Sequence, residues 1–575
     1  MQRFIPFLDW ISNYNKAFLL KDLLAGLTVG VILIPQGMAY AMVAGLPPVY
    51  GLYASIFPVL VYLFLGTSKQ LAIGPVAMDS LLVAAGLGTL AISGVENYIA
   101  MAIFLAFLVG AIQLLLGLFR MGFLVNFLSR PVISGFTSAA ALIIIFSQLK
   151  HLLGTEIDKS TKFHQLVVSA FEKFAETNLY DLAIGMIGIL IIVFLKSWNK
   201  KIPSILIVVV LGILSVYFLD LQEYNVKIVG EIPYGLPDFQ VPNFNFQNAM
   251  DLWPIALTLA LVGYLEAISI GKAMEEKNKE ETIDANQELV ALGTSNMVGS
   301  FFQAYPVTAS FSRSAISNDV GGKTNLYALF SIVMVVLALL FLTPLFYYLP
   351  NAVLASIIMV SVYGLIDFQY PVRLWKFRKD EFVVLILTFL ITLFIGIKEG
   401  VLIGVLFSLL LMVYRTSKPH FAILGKIKGS EYYKNIERFG DEVEKRDDVL
   451  ILRFDSQLYF GNKNYFKTHL MKEVNAKGDT LKGVILNAEA INYIDSTAAN
   501  MLISVINELH NRNLQFYIAG AIGPTRDIIF SSGIIDALSK EFLFVKTSEA
   551  VAYFDDTGNV PDFREKIAHQ SRSLW

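Results

Sequence analysis

The chain has 575 residues, 55% of them hydrophobic and only 16% charged, with a formal net charge of −2. A mean hydropathy of +0.60 lies far above the usual soluble mixture and points to a membrane protein, while the near-neutral charge leaves no basic footprint for nucleic acid. With no cysteine, disulfides, thiol catalysis and thiolate metal sites are excluded.

Residues 1–20 place Phe4, Phe7 and Trp10 at mixed spacing, with no small-residue cleavage site behind a short apolar core. They are expected to stay on the chain as a cytoplasmic segment at the membrane interface. From 21 to 416 the sequence runs in apolar blocks of about 20 residues, each long enough to cross a hydrocarbon core as a helix. Reading these blocks against their proline and glycine breakers predicts about fourteen segments, the first near Lys21–Ala44 and the last near Lys398–Tyr414. Basic residues gather in alternate loops: Arg120 and Arg130; Lys196, Lys200 and Lys201; Lys272, Lys277 and Lys279; Arg373, Lys376, Arg378 and Lys379. The positive-inside rule makes these loops cytoplasmic. An even number of spans then puts both termini in the cytoplasm of a plasma (inner) membrane protein. Gln222–Met250 falls outside, and Lys159, Lys162 and Lys173 run against the pattern in another outer loop.

The chain repeats itself. Gly74-Pro-Val-Ala-Met-Asp-Ser80 is similar to Tyr305-Pro-Val-Thr-Ala-Ser310, and Gln36 precedes Pro75 by 39 residues where Glu266 precedes Pro306 by 40. Interrupted segments at matching places in two halves point to a transporter site near the midplane, and seven spans per half would invert the second half.

Glu266 lies within the apolar stretch Trp253–Ile270, where an acid at a helix centre costs about 2.5–3.5 kcal/mol and normally faces a cavity. It reads as a proton carrier; the alternative is an acid near the cytoplasmic end that reaches water. Ser310, Ser312 and Arg313 stand at the predicted start of a broken helix, with Gly74, Pro75, Val76 and Ala77 as an opposing helix start. Two such N-termini hold an anion without a metal, although proline also begins helices for no functional reason. Asp79 admits three readings: pairing with Arg313, binding a proton, or pointing away to a loop. Gln36 and Tyr40, one turn apart, read either as site lining or as links between helices. Gly321-Gly-Lys-Thr324 is similar to the end of a phosphate-binding loop, but Ser317 stands where the earlier glycine is needed, which argues against ATP-driven pumping. The six histidines are scattered, so no metal site and no cofactor are expected.

After Arg415 the composition turns soluble. Val449–Phe454 and Gly483–Leu486 read as strands, Ser496–His510 as an amphipathic helix and Leu514–Ala519 as another strand, a small α/β domain with Asp495 and Ser496 at a helix start. The expected organisation is therefore an N-terminal segment 1–20, a transmembrane domain 21–416, a linker and start of the soluble region 417–445, the α/β domain 446–555 and a tail 556–575.

Taken together, Pro35-Gln-Gly-Met-Ala-Tyr-Ala41, Gly45-Leu-Pro-Pro-Val-Tyr-Gly-Leu-Tyr53, Ile73-Gly-Pro-Val-Ala77, Asn286-Gln-Glu-Leu-Val-Ala-Leu-Gly293 and Tyr305-Pro-Val-Thr-Ala-Ser-Phe-Ser-Arg-Ser314 resemble the SulP (sulfate permease) family of anion transporters with a C-terminal STAS domain. The resemblance implies a polytopic helical protein with a seven-plus-seven inverted repeat of core and gate regions, a homodimer, and elevator-like movement carrying the anion. It implies that Gln36, Tyr40, Val76, Ser310 and Arg313 line the anion site, with Ala309, Phe311 and Ser312 in the same motif, and that Glu266 matches the acid linked to proton coupling. Val76 stands where some relatives carry an aromatic, and Asp79 departs from the common pattern. Ile494-Asp-Ser-Thr497 resembles the STAS segment around a phosphorylatable hydroxyl, Ser496 or Thr497 here; helix capping explains the same residues. The implied function is proton-coupled sulfate symport. Alternatives are bicarbonate, chloride or dicarboxylate transport, or anion exchange, through the same pocket. A nucleobase–proton symporter would leave the STAS-like domain unexplained. The reading of another class is a membrane-anchored sensor that signals through that domain to a partner the sequence does not identify.

Overall fold

The computed structural model describes residues 6–12, 14–88, 90, 92–123, 129–156, 162–199, 202–278 and 283–556. Phe4, Lys159, Lys200, Lys201, Lys279 and the expected tail from residue 557 lie outside them, as do the side chains of Lys277 and Lys398. The chain divides into two compact units, one running through Ser408 and one from Leu409.

In the first unit the apolar blocks become helices α1 (Lys16–Val43), α2 (Val49–Leu65, in two pieces), α3 (Ala77–Gly88), α4 (Val95–Leu118), α5 (Arg130–Ser147), α6 (Leu179–Trp198) and α7 (Ser204–Phe218). The second half supplies α8 (Phe246–Asn278), α9 (Ala285–Ser300), α10 (Phe311–Val320), α11 (Leu326–Phe346), α12 (Asn351–Tyr363), α13 (Lys379–Phe394) and α14 (Ile397–Ser417). Among the described residues seven helices are long and apolar enough to cross a membrane by themselves. The others are shorter, or, like α9, too polar to be recognised by hydropathy. Asn15 begins α1 by accepting the Phe18 amide at 2.9 Å, and Asp284 begins α9 by accepting those of Asn286 and Gln287; each satisfies donors a helix start leaves free.

Strands β1 (Ile73–Gly74) and β2 (Thr308–Ala309) precede α3 and α10, the third helix of each half, and pair antiparallel, Ile73 opposite Ala309 and Gly74 opposite Thr308. Antiparallel strands send the following helices in opposite directions, so both helix N-termini begin at the pair. The two prolines are not equivalent about it. Pro75 follows β1, two residues before α3, whereas Pro306 precedes β2, five residues before α10. The matched spacing in the sequence thus finds the two half-helices but misplaces their register.

The second unit contains β3 (Phe421–Ile427), β4 (Tyr433–Asn435), β5 (Val443–Glu444), β6 (Val449–Phe454), α15 (Lys463–Lys477), β7 (Gly483–Asn487), α16 (Ser496–Asn511), β8 (Gln515–Ala519), α17 (Gly523–Ser531), β9 (Leu543–Phe544) and α18 (Thr547–Asp556). The sheet order is β4-β3-β6-β7-β8-β9, with β6 to β9 parallel, β3 antiparallel to β6, and β5 also on β3. Strand alternation splits the core: Leu450, Leu452 and Phe454 pack with α15 and α16, while Val449 and Ile451 pack with α18. Residues 417–445 carry β3 to β5, so the sheet begins inside that stretch.

Candidate functional site

Where β2 gives way to α10, Ser310 donates its backbone N–H to the Ala72 carbonyl at 2.8 Å, and Ser314 Oγ accepts the Ala72 N–H at 2.9 Å. The side chain of Ser310 caps nothing, so first-turn amides of α10 stay available to a ligand. One turn into α10, Arg313 is fully buried. Its Nη1 donates to Gln36 Oε1 at 3.4 Å, and Nε and Nη2 have no hydrogen-bond partner among the described residues. Among the described residues Tyr40, Tyr305 and Tyr327 are the titratable groups that act on it. Gly74 has φ +139°, and a Cβ there would stand 3.3 Å from Arg313 Nη2; glycine lets β1 pass against the guanidinium.

Of the candidates, Gln36, Tyr40, Gly74, Val76, Ala77, Ala309, Ser310 and Arg313 are buried. They are supplied by α1, β1–α3 and β2–α10, with Pro75 joining β1 to α3. Phe311 and Ser312 are exposed on the same first turn of α10, with Ser312 Oγ 3.4 Å from Ser310 Oγ. Gln36 thus faces the basic group directly.

Asp79 does not pair with Arg313. It is buried in the first turn of α3, its Oδ1 lacks a partner among the described residues, and Oδ2 lies 3.1 Å from where a Cβ on Gly263 would stand. Glu266 is one turn farther along α8 and half-buried, in a small apolar cleft with Ile133, Phe136, Val262 and Val401. The same Gly263 accepts Thr308 Oγ1 on its carbonyl at 2.6 Å. One glycine of α8 therefore touches both the acid of α3 and the strand leading to Arg313.

The profile described as the Sulfate permease family matches residues 19–388, and that of the STAS domain residues 442–551. The chain belongs to the sulfate permease family. It is 40% identical to the protein named Sulfate transporter 4.1, chloroplastic, of Arabidopsis thaliana, over 95% of this chain and 82% of that one. It is 32% identical to a probable sulfate transporter of Mycobacterium tuberculosis, over 94% and 96%. Among solved structures, the murine solute carrier 26 family member A9 anion transporter, described as inward-facing, superposes with a TM-score of 0.88 at 28% identity, covering 96% of this chain and 94% of that one. The transmembrane domain of a cyanobacterium bicarbonate transporter shares the fold at TM-score 0.61 and 23% identity, over 69% and 98%.

Elsewhere in this family member two further acids lie buried with their oxygens occupied. Asp22 accepts the backbone amides of Lys323 and Thr324 at 2.6 and 3.1 Å and the Thr324 hydroxyl at 2.5 Å. The loop that looks like a phosphate cradle thus grips the protein's own carboxylate. Glu288 accepts the Tyr62 hydroxyl, the Thr67 hydroxyl and amide and the Ser68 amide, all within 3.1 Å. These acids fix the loops that leave α10 and lead to β1. In the STAS domain Asp495 caps α16 through the Ala498 amide at 2.7 Å and accepts the Phe460 amide at 2.8 Å. Ser496 is exposed and Thr497 half-buried beside it.

Proposed function

We propose that this protein is a secondary active transporter that carries a small inorganic oxyanion, sulfate, together with protons. One observation carries the reading: Arg313 is buried and, among the described residues, has no acidic partner and keeps two guanidinium nitrogens unpaired at a helix start. An uncompensated buried charge costs several kcal/mol, and an anion there would remove most of that penalty. A tetrahedral oxyanion suits a guanidinium fork beside free helix amides; the choice of sulfate rests on the names of the relatives. In this reading Gln36, Tyr40, Gly74, Val76, Ala77, Ala309, Ser310 and Arg313 line the site, with Pro75, Phe311 and Ser312 at its margin. Glu266 carries the coupling proton, and Asp79 a second one.

The same proposal includes elevator movement of the elements that hold the site, a homodimer in the plasma membrane, and both termini in the cytoplasm. It also includes a transport domain over 21–416 and a STAS domain over 446–555. There Ser496 or Thr497, at an accessible helix start, accepts phosphate or meets a regulatory partner.

The test is labelled sulfate uptake into proteoliposomes under an inward proton gradient, for wild type and Glu266→Gln, with bicarbonate, chloride and dicarboxylates as competitors. Proton-stimulated sulfate uptake that fails in the variant is the expected result. Flux of another anion instead would replace the substrate, and no flux of any anion by folded protein would favour a sensor.

A further inference from the structure

Strand β2 leads to Arg313 and is two residues long, both paired with β1, and a further contact holds the residue before it. On its far side Asn296 of α9 grips Val307, the residue before β2. Its Oδ1 accepts the Val307 N–H at 2.8 Å and its Nδ2 donates to the Val307 carbonyl at 3.0 Å. Both backbone groups of a residue only 1% exposed are thereby satisfied by one side chain.

The amide is itself held from behind. Gln113 of α4 accepts Asn296 Nδ2 on its Oε1 at 3.2 Å and donates its Nε2 to the Ala260 carbonyl of α8 at 3.1 Å; Leu292, a turn earlier on α9, also accepts Nδ2 at 3.2 Å. The contact exists because α4 and α9 meet backbone to backbone. A Cβ on Gly110 would lie 2.5 Å from the Met297 nitrogen, and one on Gly293 2.4 Å from the Leu114 nitrogen. Gly110 is thus level with Met297 and Gly293 with Leu114, so α4 and α9 run antiparallel here, and Gln113 and Asn296, each three residues after its glycine, meet within the crossing.

The bonds form a chain. Ala72, just before β1, leans on Ser310 and Ser314 of the β2–α10 segment, and that segment leans on Asn296, with Thr308 bonded to Gly263 as a second fixing point. We infer that Asn296, buttressed by Gln113, is a positioning residue for the anion site: through Val307 it sets where the two-residue β2 begins and so where the first turn of α10 and Arg313 stand. This rests on the reading of that site as the anion site. A register shift there would move the helix amides away from the guanidinium, and the group that binds the anion would no longer be one group.

The experiment compares wild type, Asn296→Ala and Gln113→Leu in two readouts on the full chain in detergent and in proteoliposomes. The first is amide hydrogen exchange of the peptide spanning 305–314 against peptides from α6 and α7. The second is sulfate uptake resolved into KM and maximal rate. Loss of a buried hydrogen-bonded partner predicts an increase of about tenfold in KM for Asn296→Ala, and about threefold for Gln113→Leu, which leaves the Val307 bonds in place. Exchange should rise in 305–314 and stay unchanged in α6 and α7. A uniform rise in exchange with unchanged KM would make Asn296 a general stabiliser and overturn the inference, as would wild-type behaviour in both readouts. If Asn296→Ala does not fold, Gln113→Leu decides by the same criteria. If wild type carries no sulfate, the transport reading fails by itself, and local exchange at 305–314 still decides whether Asn296 positions the segment.

Discussion

Replacing Arg313 by methionine separates binding from stability. The side chains are similar in length, and methionine fills irregular apolar space. In the anion-free protein Arg313 is a buried charge whose hydrogen bond to Gln36 Oε1, at 3.4 Å, is long, and whose Nε and Nη2 are unpartnered among the described residues. Exchanging buried ionic groups for packed apolar ones is often neutral or stabilising by about 1–4 kcal/mol. Bound sulfate should reverse the order, since a ligand at a hundred times its Kd stabilises by about 2.7 kcal/mol. Thermal unfolding in detergent, with and without saturating sulfate, gives the four values needed. The expected outcome is that Arg313→Met melts at or above wild type without sulfate and gains nothing from it, while wild type gains several degrees. A variant that melts well below wild type in anion-free buffer, or that keeps the sulfate shift, would refute the reasoning: Arg313 would be a structural cation.

Other perturbations follow from the same geometry. Gly74→Ala forces a side chain onto φ +139°, at a cost of about 1–3 kcal/mol, and sets a methyl 3.3 Å from Arg313 Nη2; sulfate affinity measured by calorimetry should fall more than melting temperature does. Asp22→Ala leaves the loop amides of Lys323 and Thr324 without their acceptor, at about 1–3 kcal/mol for the buried Thr324 group, and should show as lower yield and earlier unfolding in size-exclusion thermal profiles. In the STAS domain burial raises the Asp455 carboxyl, but bonds from Arg453 and His420 outweigh it and hold the carboxyl below its usual range. The stability this contributes is present above the ordinary value of about 3.9 and lost as pH falls through the lower folded value. Asp455→Asn should therefore speed exchange of β3 and β6 amides at pH 7, and the gap from wild type should close as the pH falls below the ordinary carboxylate range.

How far the sequence could be read depended on whether each signal was local. Val449–Phe454 was legible as a strand because its alternation is the packing on both faces of the sheet, and Asp495 because a cap is a contact with the next three residues. Arg313 stood out as a lone cation in an apolar setting. Asn296 and Gln113 did not, since an amide within a span looks alike whether it joins two helices or fixes a strand; only Gly110 and Gly293, one turn before them, hinted at a close crossing. The offset prolines misled because they mark where regular structure is interrupted, not which of the interrupted residues pair. The Gly-Gly-Lys-Thr segment binds an anion after all, one supplied by Asp22 about 300 positions earlier in the chain, a distance no motif spans.

Under the proposed proton coupling, Asp79 decides the charge carried in each cycle. Sulfate brings two negative charges to a site whose fixed cation is Arg313. If Glu266 and Asp79 both take a proton with the anion and both release it afterwards, the loaded and empty sites carry the same net charge, and the membrane potential acts on neither preferentially. If only Glu266 does so, each cycle moves one negative charge inward, against about 2.3 kcal/mol at an inside-negative 100 mV, or roughly fiftyfold in the accumulation ratio. The position of Asp79 favours two carriers: its Oδ1 is buried without a partner, and its Oδ2 lies against Gly263, one turn from Glu266 on α8. Asp79→Asn keeps the shape and removes the second proton. In proteoliposomes clamped with potassium and valinomycin, wild-type proton-driven uptake should be insensitive to potential, and uptake by Asp79→Asn should fall steeply as the interior is made negative. If the variant and wild type respond alike to potential, Asp79 carries no coupling proton, and its unpartnered oxygen serves only the packing of α3 on α8.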